Sequence, residues 1–287
     1  MEILGVSLLT GISFGIVYFL LATGLSVVLG LMGIVNLAHG CLYMIGAYLG
    51  ITLAKATGGN FMIGLLGGTI AAGLVGSFIE RGFLSRLYRQ EFAQILVTFG
   101  FIYVITNLHL WIYGTYPKAP PMPAILSGTI SIGTVDFPTY RLAVIVIGVL
   151  LFYGLWWLQE KTKIGAIIRA GMDDKEMTTA LGINLTPINI VAFFVGSALA
   201  GFAGVIGTSA IGGVNLDSGV DMLFVALVVV IVGGVGSISG ALVGALIIGV
   251  STALVASYFP ALSVFVMYVA VILVLLFRPS GILGKAT

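Results

Sequence analysis

Apolar runs of membrane-crossing length recur along this chain with almost no charge inside them, and that pattern dictates what it can fold into. A hydrocarbon core about 30 Å thick takes about 20 apolar residues to cross as a helix, because a helix satisfies its own backbone where no water can reach. Such runs lie near residues 3–31, 42–54, 61–79, 93–113, 142–158, 188–210, 222–232, 241–257 and 261–277. Some are short and interrupted by glycine, so the pattern predicts about eight or nine crossings. The expected fold is an all-α, polytopic integral membrane protein with a single transmembrane domain over residues 1–287 and some helices discontinuous at Gly-rich breaks. Only 8% of the residues are charged and 60% are hydrophobic, against about 25% charged in soluble domains. A water-soluble surface cannot be built from that.

Several function classes fall away. A net charge of +2 offers no dense basic patch for phosphates, which sets nucleic-acid binding aside. A single cysteine, Cys41, excludes an intrachain disulfide and any CxxC metal site. Two histidines on separate runs and no HExxH leave neither a metal centre nor a nucleophile with its base. The tail GILGKAT lacks the earlier glycine of a phosphate loop, Pro279 standing there, and Ala286 replaces the residue that would meet magnesium. If ATP drives this protein, another chain must bind it. Ion-driven carriers usually place acids inside the membrane despite a cost of at least about 2.5 kcal/mol each. Here the carboxylates sit at segment ends or in loops, with Glu80, Asp217 and Asp221 nearest the membrane. Proton or sodium coupling through a buried acid is therefore disfavoured.

The N-terminal MEILGVSLLTG has no lysine or arginine, so it lacks the basic region of a cleavable signal and is read as part of the first span. Cytoplasmic loops carry the excess of positive charge. Arg81, Arg86, Arg89, Lys161, Lys163, Arg169, Lys175, Arg278 and Lys285 fall on one side of a nine-span path, with only Lys55, Lys118 and Arg141 opposite. The N-terminus is expected outside and the C-terminus in the cytoplasm. The outside loop of about 114–140 holds Pro117, Pro120, Pro121, Pro123 and Pro138, a density that forbids a continuous helix. The segment GGVNLDSGVD, 212–221, reads as an ordinary turn on the same side.

Glycine makes up 41 of the 287 residues, and many stand four apart in apolar runs: Gly46 with Gly50, Gly64 with Gly68, and Gly236 with Gly240 and Gly244. That spacing lets helix backbones approach closely. Two polar, glycine-rich stretches stand out, GIVNLAHG (33–40) and GGVGSISG (233–240). Each is either a broken helix bordering a solute path or a simple turn between spans. Asn36, His39, Gly40, Gly233, Gly236, Ser237 and Ser239 are the candidate path or break residues. Asn36 and His39 either line the path or tie the break together.

The inside loop of about 159–187 places Asp173 and Asp174 to cap a short helix through Lys175, Glu176, Met177 and Ala180, which Gly182 then stops. Met177, Ala180 and Leu181 form an apolar face suited to a groove on a partner.

The segments GIVNLAHGCLYMIGAY, ERGFLSRLYRQ with QILVTFG, TKIGAIIRAGMDDKEMTTALGIN, GSALAGFAGV, VVVIVGGVGSISGALVGALIIG and LFRPSGILG together resemble permeases of the branched-chain amino acid ABC importer family, LivH type. The resemblance implies a bacterial inner-membrane complex. Its other members would be a second, LivM-type permease subunit, two cytoplasmic ATPase subunits holding ATP and Mg, and a periplasmic solute-binding protein; this chain would carry no cofactor. It also implies that the loop 171–182 is the coupling helix, with Asp173, Asp174, Glu176 and Met177 meeting the ATPase. The competing reading is a passive channel or secondary carrier without an ATPase partner.

Overall fold

The apolar runs become helices whose ends follow local chemistry. The computed structural model describes residues 2–33, 35–88, 90–119, 122–132 and 135–284; Arg89, Pro120, Pro121, Lys285 and Ala286, which the sequence reading uses, lie outside them. The helices are α1 (Glu2–Met32), α2 (His39–Ala56), α3 (Phe61–Gly82), α4 (Glu91–Tyr113), α5 (Thr139–Lys161), α6 (Lys163–Asp173), α7 (Lys175–Ala180), α8 (Leu185–Ile211), α9 (Ser218–Gly233), α10 (Ile238–Tyr258) and α11 (Val266–Phe277). Asn60 starts α3 by accepting hydrogen bonds from the amides of Met62 and Ile63, and Asn184 starts α8 through the amide of Thr186. Gly212, at φ +105°, ends α8 in the left-handed conformation that a residue without Cβ adopts at no steric cost.

Among the described residues seven helical segments are long and apolar enough to cross a membrane, close to the eight or nine expected. One of them is α3 continued through the 3-10 turn Leu84–Leu87, and another is α11 together with the 3-10 turn Pro260–Phe265 that leads into it. The shorter α2 and α9 account for the other two apolar runs. At 1.5 Å per residue they are about 27 Å and 24 Å long, less than the roughly 30 Å hydrocarbon thickness. α2 begins in the interior, at buried Ala38, His39 and Gly40.

α2 is buried along most of its length, packed by α3, α8 and α9, and by α4 through Tyr48, which lies 5.0 Å from the His109 ring. Lipid is as apolar as leucine, so helices associate by close packing rather than by hydrophobic exclusion. The glycine pairs supply that packing. A Cβ on Gly68 would lie 2.4 Å from the Gly46 carbonyl, and one on Gly64 would lie 2.5 Å from that of Gly50, so the two four-residue spacings interlock between α2 and α3. α1 and α8 approach in the same way at Gly24 and Gly196, and α1 and α10 at Gly11 and Gly249.

The proline-rich loop adds the described strands, β1 (Thr129–Ile132) and β2 (Val135–Pro138), paired antiparallel. Upstream, Lys118 and Val214 exchange two backbone hydrogen bonds of 2.9 Å, which tie this loop to the α8–α9 link. Arg141 donates to the Ala210 carbonyl at 3.3 Å and to Thr10 Oγ1 at 3.2 Å at this hairpin end. α6 and α7 lie at the opposite end.

Candidate functional site

The first break joins α1 to α2. Asn36 is buried; its Oδ1 accepts the Ala38 amide at 3.1 Å and its carbonyl accepts the His39 amide at 3.1 Å. These local bonds let Asn36 end one helix and start another. His39, also buried, donates from Nε2 to the Leu21 carbonyl of α1 at 3.0 Å. Leu21 lies eleven residues before Met32, about 16 Å along the helix, so the chain climbs back along α1 before α2 begins. Gly40 then meets the start of α9: a Cβ there would lie 1.8 Å from the Gly219 carbonyl and 2.8 Å from Leu223 Cβ. The N-termini of α2 and α9, each with its partial positive charge, thus come together at Gly40 and Gly219.

The second break lies at the α6–α7 end. Gly233 and Gly240 pack back to back, a Cβ on Gly233 falling 2.3 Å from the Gly240 carbonyl. Gly234 and Gly236 take φ of +103° and +77°, and Ser237 caps α10 by accepting the Gly240 amide at 2.9 Å. The polar groups of Gly236 are satisfied from two other helices: its amide donates to Ser26 Oγ of α1, and Gln159 Nε2 of α5 donates to its carbonyl, each at 2.9 Å. Unpaired backbone in an apolar interior is costly, so these two side chains hold the break in its shape. The tail docks on it as well, with Ile282 and Leu283 donating their amides to the carbonyls of Val232 and Gly233.

The two breaks have different neighbours. The first faces the N-terminus of α9, entered through the 212–217 link, while the second faces α6. Asp173 lines one cleft of about 740 Å³ together with Gly236, Ser237 and Ser239, and with Arg169 and Met172 of α6. Asp174 caps α7, its Oδ1 accepting the Met177 amide at 2.8 Å. Gly182, at φ +84°, follows Leu181 at the end of α7. Glu176 lines a second cleft with Met32, Tyr88, Gln94 and Lys175. Met177 and Leu181 are 59% and 74% exposed beyond the bundle. The segment with α6 and α7 thus sits between two clefts, with an apolar face turned outward.

Sequence reasoning missed the side chains that hold these pieces: Ser26, Gln159, Met172 and Tyr88. Ser26 and Gly236 are 210 residues apart, and no local pattern relates them. Replacing Gly236 with leucine is expected to lower uptake more than tenfold while the protein still inserts. A left-handed backbone costs an L-residue roughly 1–2 kcal/mol, and the new Cβ would also press on Met172 Sδ at 3.1 Å. Gly58→Leu is the control, at φ +72° with nothing within 4 Å. Equal uptake in both variants, at equal expression, would show that the break tolerates a side chain.

A bundle of spanning helices around a short buried helix, with two helix N-termini meeting at one junction and a small amphipathic unit at one end, is a polytopic membrane protein of the transport-subunit class. More narrowly, the chain belongs to the family described as branched-chain amino acid transport system / permease component, whose model matches residues 7–275. Its curated relatives include the high-affinity branched-chain amino acid transport system permease protein BraD of Pseudomonas aeruginosa, 31% identical, covering 97% of this chain and 95% of that one. The permease protein LivH of Escherichia coli K12 is 29% identical, covering 96% and 94%. Among solved structures, PsaBC from Streptococcus pneumoniae in complex with Fab has a similar fold, with a TM-score of 0.55 at 15% identity, covering 98% of this chain and 93% of that one.

Proposed function

We propose that this chain is the membrane subunit of an ATP-driven importer that moves branched-chain amino acids, or a related small amphipathic solute, after delivery by a separate binding protein. The observation that carries the reading is the family match across residues 7–275. α7 supplies a mechanical element to go with it. A helix with Met177 and Leu181 exposed, lying outside the bundle between two clefts, suits a groove on an ATPase subunit, with Asp173, Asp174 and Glu176 at its margin. ATP and Mg belong to that subunit in this reading. The partners are two cytoplasmic ATPase chains, a second, LivM-type permease and a periplasmic binding protein.

The charge distribution supports placing the α6–α7 end in the cytoplasm of a bacterial inner membrane, since Arg81, Arg86, Lys161, Lys163, Arg169, Lys175 and Arg278 cluster there. The hairpin end, with Lys55, Lys118 and Arg141, then faces the binding protein. Asn36, His39 and Gly40 border the solute path where α2 and α9 begin, and the second break, with Gly233, Gly236, Ser237 and Ser239, is its cytoplasmic hinge.

The test is purification in mild detergent with the neighbouring gene products, followed by an ATPase assay in vesicles with a binding protein loaded with leucine. Stimulation by the loaded protein is the expected result. Retained ATPase without a leucine response moves the cargo elsewhere, and no retained ATPase at all overturns the importer in favour of a carrier.

A further inference from the structure

The link between α3 and α4 carries a polar junction that the transport reading leaves unused. Glu80 sits in the last turn of α3 and is buried, as is Asn189 near the start of α8. Tyr88 lies between them, just past the 3-10 turn Leu84–Leu87. That turn is locked from α4, where buried Gln94 donates from Nε2 to the Leu87 carbonyl at 2.7 Å. Tyr88 Oη donates to Glu80 Oε1 at 2.5 Å, and the Asn189 side chain lies close to the phenol. Burial first, and the Glu80 carboxylate second, push the phenol up from its ordinary range. It therefore stays protonated and remains a donor.

On the ring of the same residue lies Lys175 Nζ, 5.3 Å from the centroid, within the distance at which an ammonium is attracted to an aromatic face. Lys175 is the first residue of α7. Otherwise α7 is loosely attached: Thr178 is its one buried residue, and the cleft holding Glu176 and Thr179 opens beside Tyr88. One side chain thus meets α7 with its face and bonds α3 with its hydroxyl, beside Asn189 of α8. Both spans press on α2, since a Cβ on Gly46 would lie 2.3 Å from Gly201 Cα of α8 and one on Gly68 of α3 would lie 2.4 Å from the Gly46 carbonyl.

We propose that Tyr88 is a positioning residue through which displacement of α7 is passed to α3 and α8, and from them to α2; this rests on the reading of α7 as the coupling helix. Among the described residues Glu80 Oε2 has no hydrogen-bond partner, and the phenol is the donor to its Oε1. A buried acid with a single donor has a sharply preferred geometry, because losing that bond leaves both oxygens desolvated and unpaired.

The test uses the full complex in vesicles and reads solute moved per ATP hydrolysed, with subunit retention measured alongside. Tyr88→Phe keeps the ring and loses the hydroxyl, and is expected to lower the ratio about fivefold, within the range that substitutions along a coupling network produce. Lys175→Met, on the exposed helix, disturbs nothing buried and is expected to lower it as well. The double variant is expected to be no worse than Tyr88→Phe alone, since both act through one residue. Glu80→Gln retains an acceptor for the phenol and keeps most of the ratio. Additive losses, or a wild-type ratio in both single variants, overturn the inference while a normally coupled wild type leaves the importer standing. A wild-type chain that retains no ATPase overturns both.

Discussion

Replacing Gly40 with alanine abolishes uptake in the expected outcome, whereas replacing Gly219 with alanine leaves it near wild type. The two glycines face each other where α2 and α9 begin, but the contact is lopsided. A Cβ on Gly40 points into backbone, 1.8 Å from the Gly219 carbonyl; a Cβ on Gly219 meets Cys41 Sγ at 3.5 Å, an ordinary contact. Overpacking of a tight interior costs typically 1–3 kcal/mol, against a total stability of about 5–15 kcal/mol. The Gly40 variant therefore still folds, and relieves the clash by moving α2 and α9 apart. Those two N-termini border the proposed path, so the loss falls on transport before it falls on stability. Membrane-inserted protein measured by surface labelling, together with uptake in vesicles, separates the two. Normal uptake by Gly40→Ala would show that the junction is compliant and that the path does not run there.

Most of the helical frame is legible in the sequence because membrane burial is a long-range average over twenty residues, and averages survive local irregularity. The nine apolar runs fall on nine apolar helical segments, with α2 starting at His39 rather than residue 42 and α9 at Ser218 rather than residue 222. Both shifts have the same cause. Polar residues at a helix start cost little once their groups are satisfied, so hydropathy underestimates how far the helix extends. The proline-rich loop was legible only as a non-helical segment; the strand pair inside it, and its bond to Val214, depend on pairing that composition does not encode.

The candidate site divides along the same line. Asn36 and Ser237 act on amides two and three residues away, and Asp174 on one three residues away, so their capping chemistry is visible in a short window. What encloses each break is not. Gln159 reaches Gly236 across 77 residues, and His39 reaches Leu21 by climbing back along a helix it has already left. Equally, Glu80 stands at the segment end that its charge suggests, yet nothing nearby announces that it is buried. Its partner Tyr88 is eight residues on, beyond the three- or four-residue separation at which side chains on one helix meet. Gly33–Gly40 and Gly233–Gly240 look alike as strings; in space one faces α9 and the other α6, because which helix lies opposite is a property of the bundle.

Joint replacement of Asp173, Asp174 and Glu176 by alanine is expected to leave the protein inserted and to remove more than nine-tenths of the ATPase stimulation and uptake. Three effects combine. Asp174 holds the start of α7 through the Met177 amide, and losing an N-cap costs about 0.5–2 kcal/mol. A six-residue helix has little of its own to set against that, since isolated helices shorter than about 12–15 residues are marginal in water. Asp173 and Glu176 line the two clefts flanking the helix, so their loss also removes charge at the margins of the proposed contact. Asp174→Ser separates these contributions, because serine caps as well as aspartate but carries no charge. If Asp174→Ser keeps coupling and Asp174→Ala loses it, α7 acts as a rigid lever whose order matters and whose charge at that position does not. If both lose it equally, the carboxylate itself meets the ATPase. Undiminished stimulation in the triple variant would remove α7 from the contact altogether and return the search to the 3-10 turn Leu84–Leu87 and the C-terminal tail at the same end of the bundle.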